Sequence, residues 1–158
     1  MKIEIGNIRF RFDCSISKLA DVDGINSNIF FLGEANGNHI LLWDFDNTPL
    51  QIVIDDLRCL QHLFDLPKIH IIESSPEHYH AYCFSEQRKS EAIYILSLSP
   101  HIDQTYFKLG IIRGYWTLRI TPKKRSDLFK PICILDSEIP EDFTLKDMLQ
   151  TVKYRTRL

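Results

Sequence analysis

The sequence predicts an α+β fold: one mainly antiparallel sheet with helices packed on one face, in a single compact domain over residues 1–158. Three observations carry this expectation. Period-two apolar alternation recurs in several short runs, glycine-bearing turn dipeptides separate neighbouring runs, and helical spacing appears between strands rather than in a separate half of the chain. No Pro/Gly/Ser-rich linker, repeat or low-complexity stretch divides the chain.

MKIEIGNIRFRF alternates Ile3 and Ile5, then Ile8, Phe10 and Phe12, around Gly6-Asn7, which predicts a hairpin. NIFFLGEANGNHILLWDFD predicts a second hairpin turning at Asn36-Gly37, and its nearly all-apolar second strand reads as central. After Asn47, Thr48 and Pro49 the period changes. Val53, Leu57, Leu60 and Phe64 fall on one helical stripe, which Leu50 and Leu63 extend. KIHII and YHAYCF predict strands on either side of the SSPEH turn, and SEAIYILSLS (90–99) predicts a helix. GYWTLRIT (114–121) predicts a half-buried strand, with Trp116, Leu118 and Ile120 inward and Arg119 on the open side. KPICIL reads as another strand and DFTLKDMLQTVKY as a closing helix.

At 44% apolar and 25% charged residues the chain has the composition of a globular protein able to build a core. A formal net charge of −2 gives no global case for nucleic-acid binding, so any such case must be local. The first ten residues lack a secretory-signal pattern, and no apolar run approaches the roughly 18–20 residues of a membrane span. Cys14, Cys59, Cys83 and Cys133 are scattered with no CxxC, which predicts buried thiols in a reducing, cytoplasmic setting.

Two stretches carry candidate chemistry. In WDFD, Asp44 and Asp46 are two apart on a strand and therefore share a face. Paired carboxylates suit Mg²⁺ or Mn²⁺, which complete their shell with water and substrate phosphate. The plainer reading is that Asp44 ends the strand and Asp46 or Asn47 caps the following helix. In SSPEHYHAYCF, alternation places His78, His80 and Tyr82 together, below a turn containing Ser74 and Ser75. Hydroxyls, turn amides and an imidazole on one face suit a polyphosphate; two solvent-facing histidines are the plainer reading. Arg113, Arg119 and the Lys123, Lys124, Arg125 cluster form a basic stretch that suits a nucleic-acid strand, or a solvated loop. Asp103 stands alone near the end of the predicted 90–99 helix. In the C-terminal tail, Lys153, Arg155 and Arg157 suit either nucleic-acid contact or a free end.

In this order, the WDFD acids, a helix, a strand, S-S-x-x-x-H-Y-H-A-Y, I-D and L-R-I resemble the archaeo-eukaryotic primase superfamily. The cadence is similar to small plasmid- or virus-encoded primases and to the polymerase domains of bacterial end-joining ligases, and it spans about residues 40–125. The resemblance implies an RRM-like sheet and two-metal nucleotidyl transfer on a single-stranded DNA template, with a helicase or other replication protein as a possible partner. It implies that Asp44, Asp46 and Asp103 bind Mg²⁺ or Mn²⁺, and that His80, with Ser74 or Ser75, contacts the nucleoside triphosphate. Arg119 would bind phosphate. Ser75-Pro76-Glu77-His78 departs from the small-residue turn of that family by placing a carboxylate beside the triphosphate path. Two other readings remain open. One is an HUH rolling-circle endonuclease using His-x-His, for which Tyr94 and Tyr106 are poor nucleophile candidates. The other is a non-catalytic nucleic-acid- or protein-binding derivative of the primase fold.

Overall fold

The computed structural model describes residues 2–5, 8–11, 19–31, 34–119, 131–144 and 152–157. The fold is α+β, with mainly antiparallel sheet and three helices among the described residues. No helix among them is long and apolar enough to cross a membrane. Ten strands are described: β1 (Lys2–Ile5), β2 (Ile8–Arg11), β3 (Leu19–Asn26), β4 (Asn28–Phe31), β5 (Glu34–Asp46), β6 (Ile69–Ser75), β7 (His78–Arg88), β8 (Thr117–Arg119), β9 (Cys133–Leu135) and β10 (Val152–Arg157). The helices are α1 (Leu50–Leu63), α2 (Lys89–Ser97) and α3 (Gln104–Arg113).

The principal sheet has the order β4-β5-β7-β6-β9, antiparallel throughout. The run β5-α1-β6-β7-α2 sets β7 between β5 and β6, which is the heart of an RRM-like arrangement. The fourth place, beside β5, is filled by β4, because β8 pairs with β3 in a second sheet of order β10-β3-β8. Ser27 joins the two sheets. Its amide donates to the Trp116 carbonyl, and its own carbonyl accepts from Ile40. Its hydroxyl accepts from the Trp116 amide and is hydrogen-bonded to His39 Nδ1 at 3.0 Å.

Several elements fall where the pattern puts them. Ile5 pairs with Ile8 in the first hairpin. In α1, Val53, Leu57 and Leu60 are buried, each contributing roughly 1.5–3 kcal/mol by leaving water. Trp116 and Leu118 face inward as alternation requires.

Others differ. Asn36-Gly37 is not the hairpin turn; the chain reverses between Phe31 and Glu34, which pair directly. Gly37 instead lies within β5 at φ +83°, where the register of β4 against β5 shifts. That is a bulge glycine in a left-handed conformation. Leu63 is 63% exposed and leaves the α1 stripe; Gln61 is buried instead and donates to the carbonyls of Pro67 and Leu135. Ser74 and Ser75 end β6, so the turn itself is Pro76-Glu77, with Glu77 at φ +60°. The closing helix is not formed at its described ends: 142–144 lies outside any helix, and Val152–Arg157 is a strand paired with β3. The basic tail is therefore a sheet edge, with Lys153 opposite Asp23 and Arg155 opposite Asp21. Cys83 is buried as expected, but Cys59 is exposed and Cys133 half-buried; Cys14 lies outside the described residues.

Candidate functional site

The site forms on one face of the β5–β7 pair. Asp44 lies opposite His80, Asp46 opposite His78 and Leu42 opposite Tyr82, so the three ladder rungs stack along one face. Burial falls steadily along this row. Leu42 and Tyr82 are fully buried, the Asp44 and His80 side chains are 23% and 11% exposed, and those of Asp46 and His78 are 46% and 33% exposed. The face is closed at one end and opens at the other. What closes it is β8, whose Arg119 carbonyl accepts from the Tyr82 hydroxyl at 3.4 Å and contacts His80 Nδ1 at 3.2 Å. The sheet face is thus a dry-walled mouth rather than an open platform.

Asp103 comes to this row from far along the chain. Pairing of β4 with β5 reaches only as far as His39, which leaves the β5 edge beyond it in need of donors. The start of α3 supplies them. The Asp103 amide donates to the Asp44 carbonyl at 2.8 Å, and the Tyr106 hydroxyl donates to the Leu42 carbonyl at 3.3 Å. The Asp103 carboxylate caps α3 by accepting from the Tyr106 amide. Asp103 is therefore the N-cap of a helix that the sequence pattern did not reveal, rather than the tail of the preceding one. Trp116 holds α3 in place: its indole donates to the Phe107 carbonyl and stacks on the Phe107 ring.

The electrostatics follow from this placement. Burial pushes the Asp44 carboxyl up to about 7, and the neighbouring charges of Asp46 and Asp103 push the same way, partly offset by His78. Burial pushes His80 down to about 4. The Arg119 carbonyl bond and Asp46 oppose that shift, whereas the Arg119 guanidinium and His78 reinforce it. Asp46 is not a helix cap. Its carboxylate is bonded by His78 Nδ1, and the N-cap of α1 is Pro49, with no side-chain cap.

Of the remaining expected site residues, Ser74 is exposed and spends its hydroxyl on the His78 carbonyl, and Ser75 is paired with His78 at the strand end. Arg119 is half-buried, and its charge reaches His80. Arg113 is exposed at the end of α3. Lys123, Lys124 and Arg125 lie outside the described residues. Glu77 is exposed at the hairpin tip, and its carbonyl accepts from the Thr48 amide. A cleft of about 600 Å³ is lined by Arg58, His62, Asp65, Asp136 and Glu138, among others, and by none of the acid–histidine set.

Tyr82 lies on the face that alternation gave it, and Tyr106, read from the sequence only as a poor nucleophile candidate, packs at the same site. Tyr106 lies close enough to Asp44 that the carboxylate adds to the upward push that burial gives its hydroxyl. Among the described residues no group of three or more His, Cys, Asp or Glu side chains is placed so that it could hold a metal ion. What the site brings together is Asp44 within electrostatic reach of both Asp46 and Asp103, with His80 across the ladder. Two of these carboxylates are already engaged, Asp46 by His78 and Asp103 by the Tyr106 amide. Comparison with protein-family models, with curated proteins and with solved structures finds no match to this chain.

Proposed function

We propose that this chain is a metal-dependent nucleotidyltransferase of primase–polymerase type, acting on a nucleic-acid template. The observation that carries the reading is the return of Asp103 to Asp44: an isolated acid in sequence joins the DxD pair at the mouth of the site. In this reading Asp44, Asp46 and Asp103 would hold Mg²⁺ or Mn²⁺. Bound there, the metal supplies Lewis-acid activation of a 3′-hydroxyl and neutralises charge on the transferring phosphoryl group. The buried wall of Leu42 and Tyr82 excludes water on one side, which strengthens every charge interaction at the carboxylates. Substrate would enter at the exposed end of the row, past Asp46 and His78. Arg119 and Arg113, with Lys123, Lys124 and Arg125, would meet the phosphates of nucleotide or template. Ser74 and Ser75 would border the triphosphate path, and a helicase or another replication protein would deliver single-stranded DNA. The test is Mn²⁺- or Mg²⁺-dependent incorporation of nucleoside triphosphates on primed and unprimed templates.

A non-catalytic nucleic-acid- or protein-binding derivative is the competing reading. It is favoured by the prior engagement of two carboxylates, Asp46 by His78 and Asp103 by its own helix. Binding that is insensitive to EDTA and unaccompanied by turnover would select it. The HUH reading fares worse. The Tyr106 hydroxyl is spent on the Leu42 carbonyl, and Tyr94 packs edge-on against Phe64 just past the end of α1.

A further inference from the structure

Helix α3 is apolar on both sides. Tyr106 and Phe107 pack against the core, and Gly110, the one buried residue of the helix, lies against Trp116. A helix that showed only water its other side would carry polar residues there. α3 instead presents Leu109, Ile111 and Ile112, which are 40%, 37% and 79% exposed. Leu109 and Lys108 stand three and four residues before Ile112, so the three side chains are neighbours on the helix surface. Apolar side chains grouped in this way, unlike ones scattered singly, mark an interaction surface.

The rim of this ridge is cationic. Lys108 and Arg113 lie on the helix itself, and Lys89 reaches its end, since a Cβ added to Gly114 would stand 3.3 Å from Lys89 Nζ. None of the three is ion-paired to a described residue, and no acid occurs between Gln104 and Arg119.

Ridge and rim together select the occupant. A second copy docked face to face would set cation against cation. A single nucleic-acid strand is held by aromatic faces as well as by charge, and this ridge is aliphatic. An interfacial membrane helix lays its apolar face into the lipid, whereas α3 turns its aromatic side, Tyr106 and Phe107, onto the core. A helix with an apolar stripe and acids beside it matches both features.

We propose that the outer face of α3 docks an acidic amphipathic helix of a partner protein. Leu109, Ile111 and Ile112 make the apolar contact, and Lys89, Lys108 and Arg113 pair with the flanking acids. The inference goes beyond nucleotidyl transfer and does not depend on it. The ten residues of α3 span about 15 Å from the Asp103 cap, so the docked helix lies within about that length of Asp44.

The test uses the full chain and a labelled synthetic peptide of about 15 residues, long enough to form a helix, with leucine on one stripe and glutamate elsewhere. Fluorescence anisotropy reads its binding. The wild type should bind the peptide, with affinity that falls as salt rises. Ile112→Ser should weaken binding at least about fivefold, and the exposure of this side chain lets the variant keep its fold. Lys108→Gln and Arg113→Gln should each weaken it by up to about fivefold and together flatten the salt dependence. A peptide with lysine in place of glutamate should bind at least about tenfold more weakly. Equal binding of the two peptides, unchanged affinity in Ile112→Ser, or no binding by the wild type would each overturn the proposal. So would self-association, or binding to phosphatidylserine vesicles or oligodeoxythymidylate, that Ile112→Ser abolishes, since each identifies a different occupant.

Discussion

The Asp103 amide donates to the Asp44 carbonyl at 2.8 Å, which fixes the start of α3 to the edge of β5 at the height of the acid pair. The same residue caps its helix with its carboxylate, so Asp103 has a structural role beside the proposed chemical one.

Those two roles separate by substitution. Asn caps a helix about as well as Asp but carries no charge, whereas Ala does neither. Asp103→Asn should keep the stability of the wild type within a few tenths of a kcal/mol, and Asp103→Ala should lose about 1 kcal/mol. If Asp103 serves the metal, both variants lose metal-dependent activity. Asp103→Asn retaining full incorporation would leave Asp103 as a cap only.

Asp44 and His80 pull stability in opposite directions with pH. The folded-state pKa of Asp44 is raised from 3.8 to about 7, so its contribution is fully present below about pH 4 and lost as pH rises through about 7. That of His80 is depressed from 6.5 to about 4, so its contribution is present above about pH 6.5 and lost as pH falls through about 4. In the wild type without metal the two slopes largely cancel. Asp44→Asn should therefore gain stability from about pH 4 to 6.5, and His80→Gln should lose it from about pH 4 to 7. A tenfold change in proton affinity is worth roughly 1.4 kcal/mol, so the effects should reach a few kcal/mol. Urea unfolding in EDTA across this range reads both slopes, and parallel profiles for the two variants would contradict the assignment.

Gly110 sits against Trp116. A Cβ there would come within 1.9 Å of the indole Nε1, which donates to the Phe107 carbonyl. Gly→Ala inside a helix ordinarily stabilises by about 1 kcal/mol. Here the sign should reverse, with a loss of about 1–3 kcal/mol from overpacking. Thermal unfolding of Gly110→Ala measures it, and an unchanged or raised Tm would contradict the packing.

Two buried serines should behave oppositely. Ser27→Ala strands both His39 Nδ1 and the Trp116 amide at the sheet junction, which should cost about 1–3 kcal/mol. Ser99 Oγ is buried without a partner among the described residues, so Ser99→Ala should be neutral or stabilising. Denaturant midpoints of the pair compare them directly.

How much of this the sequence made legible depends on the range of the forces involved. Local periodicity exposed β5, α1 and the shared face of Asp44 and Asp46, because alternation is a property of neighbouring residues. The helix α3 escaped notice because Tyr106, Phe107, Leu109, Ile111 and Ile112 spread around its circumference, with Gly110 inside it. Asn36-Gly37 carries the same positive-φ signal whether it makes a turn or a bulge, and only the register of β4 on β5 tells them apart. Val152–Tyr154 reads locally as the end of a helix, but distant pairing with β3 makes Val152–Arg157 a strand. At the site, the acids and His80 were visible as residue types. The carbonyl of Arg119 was not, since a backbone group has no letter in the sequence, yet it lies 3.2 Å from His80 Nδ1.

The central claim is metal-dependent nucleotidyl transfer at Asp44 and Asp46. Incorporation of nucleoside triphosphates on a primed or unprimed DNA template, measured in Mn²⁺ for the wild type, Asp44→Ala and Asp46→Ala, tests it most directly. The account predicts incorporation by the wild type that EDTA abolishes and that both variants lose. Full activity in either variant, or none in the wild type with Mn²⁺ or Mg²⁺, would contradict it.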